Sequence, residues 1–296
     1  MSTRIPWKIS LHGGHTGTYC DHATGTLSEV IEKAISFGYD IFGFSEHAPR
    51  IGDNLLYDEE IAMGWNVEKL EKDFEAYAND LPPLIEEYAD RIQLLRGFEC
   101  ENVPDDGFVE IMSELKTKYH FDYMVGSVHF INEISLDGPA HLFRRILEQF
   151  DGNLEAVAIH YYDAVGKMVQ TLKPEVIAHL DLIKKNAPTL ESVDTPAIRK
   201  SIEHTLEIIR QCDGILDCNT AGIRKKLGGP YPSPWIVKKA HDMGIPFCFG
   251  DDSHSPQEVG EGIAAARKYL LELGVDTIAG LEKNDGVVMQ KKIALS

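Results

Sequence analysis

Short, almost continuously apolar runs recur along the chain at Lys8–Leu11, Ile41–Ser45, Ile92–Phe98, Tyr123–Ser127, Val176–Leu180, Gly214–Cys218 and Pro246–Gly250. Several lack polar alternation, as expected of parallel strands covered on both faces, so each run is read as a strand. Helical patterns fill the gaps. Thr26–Phe37 opens with Thr26 at an N-cap and Glu29 three residues later, the spacing of a capping box. Val30, Ile31, Ala34 and Ile35 supply its apolar face, and Gly38 supplies its stop. Trp65–Tyr88 is rich in Glu, Leu and Ala, and Pro82-Pro83 predicts a break or kink in its middle. Phe108–Lys118, Leu142–Phe150, Leu154–Leu172, Pro196–Gln211 and Trp235–Met243 complete the helical set.

Strand and helix therefore alternate without a clear linker, which predicts one α/β domain over residues 1–296. Right-handed crossovers would close the strands into a barrel of fewer than the usual eight; an open sheet is the alternative. Acidic residues outnumber basic ones by 47 to 29, a formal charge of -18, which argues against a sequence-independent grip on nucleic acid. An anionic substrate stays open, because bound cations invert the local field. No apolar stretch is long enough to span a bilayer and no charged leader precedes one, so a soluble cytoplasmic enzyme without membrane or nucleic-acid partners is expected. The five cysteines form no CxxC pair and are odd in number, against a disulfide framework. Cys20 differs from the rest in sitting among candidate metal ligands.

Those candidates lie where the apolar runs end. They are His12, His15 and His22, then His47, Glu99, His129 and His179, and finally Asp252 and His254. Imidazoles and carboxylates at strand ends converge on one cavity in a barrel, although they are distant in sequence. Glu99 has two oxygens with which to bridge two cations. Two acids after the apolar run into Gly250-Asp251-Asp252 require a cation or hydrogen bonds to offset their burial. Glu46 is either a carboxylate orienting an imidazole or a surface charge, and Asp181 either a similar orienting group or a helix start. Arg50 either clamps a phosphate or pairs with Asp53 or Asp58. Arg224 is the best candidate for bidentate phosphate contact, in the segment Asn219–Lys225. Tyr231 and Trp235 either line the pocket or close a Pro-rich loop. His120, His141, His160, His204 and His241 lack such partners and are read as surface or capping residues.

The motifs from His12 to His22, FSEHAPR (44–50), GFECE (97–101), GSVHF (126–130), IAHLDLIKK (177–185), DCNTAGIRK (217–225), GGPYPSPWIV (228–237) and GIPFCFGDDSH (244–254) resemble the polymerase-and-histidinol-phosphatase (PHP) superfamily, and more closely its histidinol-phosphatase branch. The resemblance covers roughly residues 8 to 260. It implies a distorted, TIM-like (β/α)7 barrel carrying three divalent metals, with Zn, Mn and Fe all compatible with mixed nitrogen and oxygen ligands. By the same resemblance His12, Glu99 and Asp252, with His15, look like ligands of one metal. Glu99 would bridge to a second held by His129 and His179, and His22, His47 and His254 would hold the third.

One departure stands out. The family's first motif is Asp-x-His-x-His, whereas this chain has Ser10-Leu11-His12-Gly13-Gly14-His15. Either a one-residue bulge restores His15 to the metal, or the glycines redirect the loop and leave that place to water. The expected substrate is L-histidinol phosphate, hydrolysed in histidine biosynthesis by a hydroxide activated between cations, with Glu99, Asp252 and His254 as the catalytic groups. Arg224, Arg50 and Glu101 are the substrate-binding candidates, Glu101 and Asp21 for the cationic end. Two alternatives remain: a phosphoesterase for another small monoester, and a non-catalytic metal-containing binding module.

Overall fold

Seven parallel strands make one sheet in the computed structural model, which describes residues 5–296. They are β1 (Ile9–Ser10), β2 (Ile41–His47), β3 (Gln93–Cys100), β4 (Tyr123–Gly126), β5 (Val176–Ile177), β6 (Ile215–Asn219) and β7 (Phe247–Gly250), each paired with the next. The two outermost strands then meet. Leu11 N–H donates to the Phe249 carbonyl at 2.8 Å, and Asp252 N–H to the His12 carbonyl at 2.9 Å. The Asp251 N–H reaches Ser10 Oγ at 3.1 Å. These bonds bring the sheet edges together, so the molecule is a nearly closed seven-stranded α/β barrel rather than an open sheet.

The barrel interior is filled by side chains too large for strand partners with a Cβ. Tyr123 is fully buried, and its hydroxyl reaches the carbonyls of Leu11 at 2.9 Å and Phe44 at 3.1 Å. A Cβ on Gly97 of β3 would lie 2.4 Å from the Tyr123 ring, so glycine there is a packing requirement. Helices cover the outside. Leu27–Phe37 forms with the Thr26–Glu29 capping box, and Gly38 takes the left-handed conformation at its end. One apolar cluster runs from Ile9 to Leu295. No helix among the described residues is long and apolar enough to cross a membrane.

The break expected at Pro82-Pro83 does not occur: Val67–Glu87 is one continuous helix. Pro82 removes the N–H that would have bonded the buried Ala78 carbonyl, and Arg96 of β3 supplies a substitute donor at 3.0 Å. The same guanidinium nitrogen reaches the Tyr119 carbonyl at 2.9 Å. Arg96→Ala is therefore expected to destabilise the fold by about 1–3 kcal/mol, because it strands a buried acceptor. Urea unfolding checks this, and the cost should shrink in a Pro82→Ala background, where the backbone donor returns.

Two further elements follow the last barrel strand, a helix at Ile263–Glu272 and an antiparallel hairpin of β8 (Thr277–Asn284) and β9 (Val287–Ala294). The hairpin packs across the N-terminal ends of the barrel strands. Gln93, the first residue of β3, exchanges hydrogen bonds with the Lys283 backbone at 3.1 and 3.3 Å. The opposite, C-terminal end of the barrel is left free for the site.

Candidate metal centre and cavity

Every candidate ligand projects from the C-terminal end of the barrel. His47 closes β2 and sits in register beside Glu99 of β3. His12, His129, His179, Asp252 and His254 come from the loops that follow β1, β4, β5 and β7. Glu99, 1 % exposed, lies at the centre. Its Oε1 is 3.3 Å from His12 Nε2, 3.2 Å from His179 Nε2 and 3.5 Å from His129 Nε2. Its Oε2 is 3.1 Å from His47 Nδ1 and 3.7 Å from His15 Nε2. The Ser127 hydroxyl also donates to Oε1. Asp252 Oδ1 lies 3.8 Å from His12 Nε2 and 3.9 Å from His15 Nε2.

The Gly13-Gly14 loop brings His15 into this cluster, beside Glu99 and Asp252. Gly13 has φ +147°, and a Cβ there would sit 2.3 Å from Asp251 Oδ1. Two ligand candidates also hold left-handed backbone without being glycine, Asp252 at φ 49° and His179 at φ 21°. Such conformations persist only where surrounding contacts impose them. The turn at His179 also ends β5 at Ile177, short of the Leu180 expected from sequence.

A second layer of carboxylates fixes the imidazoles. Asp217 Oδ2 is 2.8 Å from His12 Nδ1, Glu46 Oε1 3.2 Å from His15 Nδ1, and both Glu101 oxygens 3.1 Å from His129 Nδ1. Asp21 is 2.8 Å from His22 Nδ1. A carboxylate at Nδ1 holds that proton and directs the Nε2 lone pair into the cluster. Glu46 thus orients an imidazole. Asp181 stands at a helix start, immediately before the short helix Leu182–Asn186, and its side chain binds Ser233 and the ammonium of Lys184.

Whether cations fit is decided by the nitrogens left over. His12 Nε2, His15 Nε2 and both ring nitrogens of His47 are buried without a hydrogen-bond partner. Buried polar atoms are rarely orphaned, and a divalent ion would satisfy these lone pairs together. Potential ligand atoms gather into overlapping groups: Cys20, His22, His47 and His254; His12, His15 and Asp252; His12, Glu99 and His179; His15, His47 and Glu99. The residues fit metal ions.

The charges respond to one another strongly. Burial works against protonation of His12, yet the charges of Glu99 and Asp252 and the Asp217 bond hold its pKa well above the usual imidazole value. His129 is likewise opposed by burial, but Glu101 and Glu99 push it up to about 9. Burial and the neighbouring His15 charge drive His47 and His254 well below that value. Burial would raise the carboxyls, but His12 and His129 around Glu99, and His12 and His254 around Asp252, hold both well below their ordinary range. The centre is thus built to keep carboxylates ionised beside donor nitrogens.

A cavity of about 610 Å³ opens above it. His22, His47, Glu99, His129, His179, Asp252 and His254 form its floor, and Tyr57, Asp137, Lys185, Arg224 and Lys225 stand on its walls. Arg224 lies here as the sequence suggested, but its two terminal nitrogens donate to the Asp251 and Asp252 carbonyls at 2.6 Å. It therefore braces the strand end that carries Asp252. Arg50 is not a wall residue. Its guanidinium is 2 % exposed, bound to Glu60 rather than Asp53 or Asp58, and lies 3.8 Å above the Tyr57 ring. Glu101 is fully buried behind His129 and does not reach the cavity. Tyr231 is buried against His179, and Trp235 borders a different hollow with Asp181 and Lys184.

Sequence reasoning passed over Asp217, Lys185 and Asp137. Asp217 had a signal: an acid inside the apolar run 214–218 needs a buried partner. Asp217→Asn is expected to weaken cation affinity about 10–100-fold, the usual effect of losing a carboxylate behind a ligand histidine. Competition with a metal-sensitive dye measures it, and unaltered affinity would show that His12 is oriented by other means. For Lys185 and Asp137 no local pattern existed; their ion pair crosses between loops from two different strands.

An α/β barrel whose C-terminal mouth gathers imidazoles and carboxylates in cation-sized groups defines a metal-dependent hydrolase. A family model for the PHP domain matches residues 12–221. The chain belongs to the PHP domain family, in its histidinol-phosphatase branch. A probable histidinol-phosphatase of Schizosaccharomyces pombe is 35% identical over 282 residues, spanning 93% of this chain and 90% of that protein. The crystal structure of hisK from Listeria monocytogenes matches with a TM-score of 0.75 and 26% identity, covering 87% of this chain and 99% of that one. A histidinol phosphate phosphatase from Lactococcus lactis, solved with zinc, L-histidinol and phosphate, shares the fold at a TM-score of 0.70 and 18% identity, over 96% of this chain and 100% of that one.

Proposed function

We propose that this protein hydrolyses L-histidinol phosphate to L-histidinol and inorganic phosphate, as a single-domain cytoplasmic enzyme of histidine biosynthesis. The observation that carries the reading is the set of orphaned imidazole nitrogens around ionised Glu99, at the floor of a cavity whose lining includes Lys185, Arg224 and Lys225. The full-length similarity to the Schizosaccharomyces pombe relative supports the choice of substrate. Three divalent ions are proposed, held by His12, His15, Glu99 and Asp252, by Glu99, His129 and His179, and by His22, His47 and His254. Zinc is favoured over manganese and iron by the ion in the Lactococcus lactis protein. When bound, such cations acidify water and neutralise charge on a transferring phosphoryl group.

The protein's own groups supply position and charge. Lys185, Arg224 and Lys225 bring positive charge to the cavity walls, where a phosphate would be drawn in despite the acidic surface. Asp21 lines the same cavity and suits the cationic end of the substrate, whereas Asp137 is paired with Lys185. Glu99 would hold the cations, and Asp252 and His254, beside it on the cavity floor, would hold or pass the proton for the leaving oxygen.

Phosphate release from L-histidinol phosphate, compared with a panel of sugar and nucleotide monophosphates on metal-reconstituted protein, tests this. The expected result is preference for L-histidinol phosphate. Faster turnover of another monoester overturns the specificity, and bound metal without turnover of any ester leaves only a binding module.

A further inference from the structure

The fourth residue of the outer ligand group is a thiol. Cys20 is 6 % exposed, and its Sγ lies 3.4 and 3.5 Å from the two ring nitrogens of His22. One potential ligand atom each from Cys20, His22, His47 and His254 falls within 4.8 Å of the others. The remaining groups at the mouth contain only imidazole and carboxylate. Both His47 nitrogens are buried without a hydrogen bond, Nδ1 lying 3.1 Å from Glu99 Oε2 and Nε2 left over, whereas His22 is oriented by Asp21 and His254 by the Asp252 carbonyl at 3.1 Å. The arrangement thus leaves nitrogen lone pairs facing a sulfur with no hydrogen-bonding partner besides His22 among the described bonds.

From this juxtaposition we infer that Cys20 is a protein ligand of the outermost cation, forming with His22, His47 and His254 a one-sulfur, three-nitrogen site that selects zinc over manganese. Thiolate is a soft ligand: it strengthens binding of zinc and cobalt far more than of manganese, which prefers oxygen. The thiol proton passes to solvent as the metal binds, so binding at this position releases one more proton than an all-imidazole site would. The inner positions, with carboxylate oxygens, lack this preference. The inference rests on the proposed metal centre but not on the identity of the ester.

The experiment replaces the metals with cobalt(II) and reads the near-ultraviolet sulfur-to-cobalt charge-transfer band. The intact protein should show the band, and Cys20→Ser should lose it while Cys100, Cys212, Cys218 and Cys248 remain in place. Direct metal analysis after dialysis against mixed zinc and manganese should show the wild type retaining zinc at one position that Cys20→Ser fills with either ion. Absence of the band in the wild type overturns the inference without reference to any variant. A band that survives in Cys20→Ser overturns it too, by assigning the sulfur elsewhere. Phosphate release is followed in the same samples. The band without turnover supports the ligand and defeats only the substrate reading; turnover without the band defeats the ligand and leaves the substrate reading standing.

Discussion

Glu99→Ala is expected to lower kcat by roughly 10³-fold or more, equivalent to at least about 4 kcal/mol of lost transition-state stabilisation. The same variant should lose metal, as read by elemental analysis of protein purified in parallel. The reason is geometric. One buried carboxylate is shared among His12, His15, His47, His129 and His179 at 3.1 to 3.7 Å, so no neighbour can replace it. Removing it takes the only negative charge from the middle of five imidazoles, while Asp252 is left at one side. Glu99→Gln keeps the shape and removes the charge, and should release metal as well. Full metal content and turnover in Glu99→Ala would reject the bridging role.

Arg50→Ala should act on stability instead of substrate binding. Arg50 and Glu60 form an ion pair with both side chains at most 3 % exposed, and among the described residues the Glu60 carboxylate otherwise accepts the Tyr57 N–H at 2.7 Å. Truncating the arginine leaves a charged carboxylate buried, at a cost of about 3–5 kcal/mol. Replacing both partners with apolar residues, as in Arg50→Met with Glu60→Leu, should recover most of that loss. Denaturant unfolding of the metal-loaded protein measures both. A variant Arg50→Ala with wild-type stability and a raised KM would return the residue to the phosphate.

These two residues show how far the sequence could be read. Glu99 was legible because a carboxylate at the end of an apolar strand has few roles, and the strands themselves were legible because coverage on both faces leaves continuous apolar runs. Arg50 was visible but its partner was not: Glu60 lies in a short helix, Asp58–Ala62, that no periodicity announced. The Pro82-Pro83 helix was misread for a related reason, since the donor that replaces the missing N–H comes from Arg96 on another element. The terminal hairpin was legible in part and overlooked; Asp285-Gly286 between two extended segments is a hairpin signal. Glu101 was placed in the pocket on its position after the strand, yet the chain leaves β3 at Cys100 and the Glu101 carboxylate turns behind His129. Local pattern locates strand ends well, and it says little about which groups meet across them.

The closure between Leu11 and Phe249 has a consequence for biogenesis. His12 and His254 are far apart along the chain, and the carbonyl that fixes the first loop belongs to the last barrel strand. During synthesis the earlier ligands emerge while their cage is still missing one wall, so ion loading must await release of the final strand from the ribosome. Until then the nascent chain carries a row of chelating groups whose cage is still incomplete.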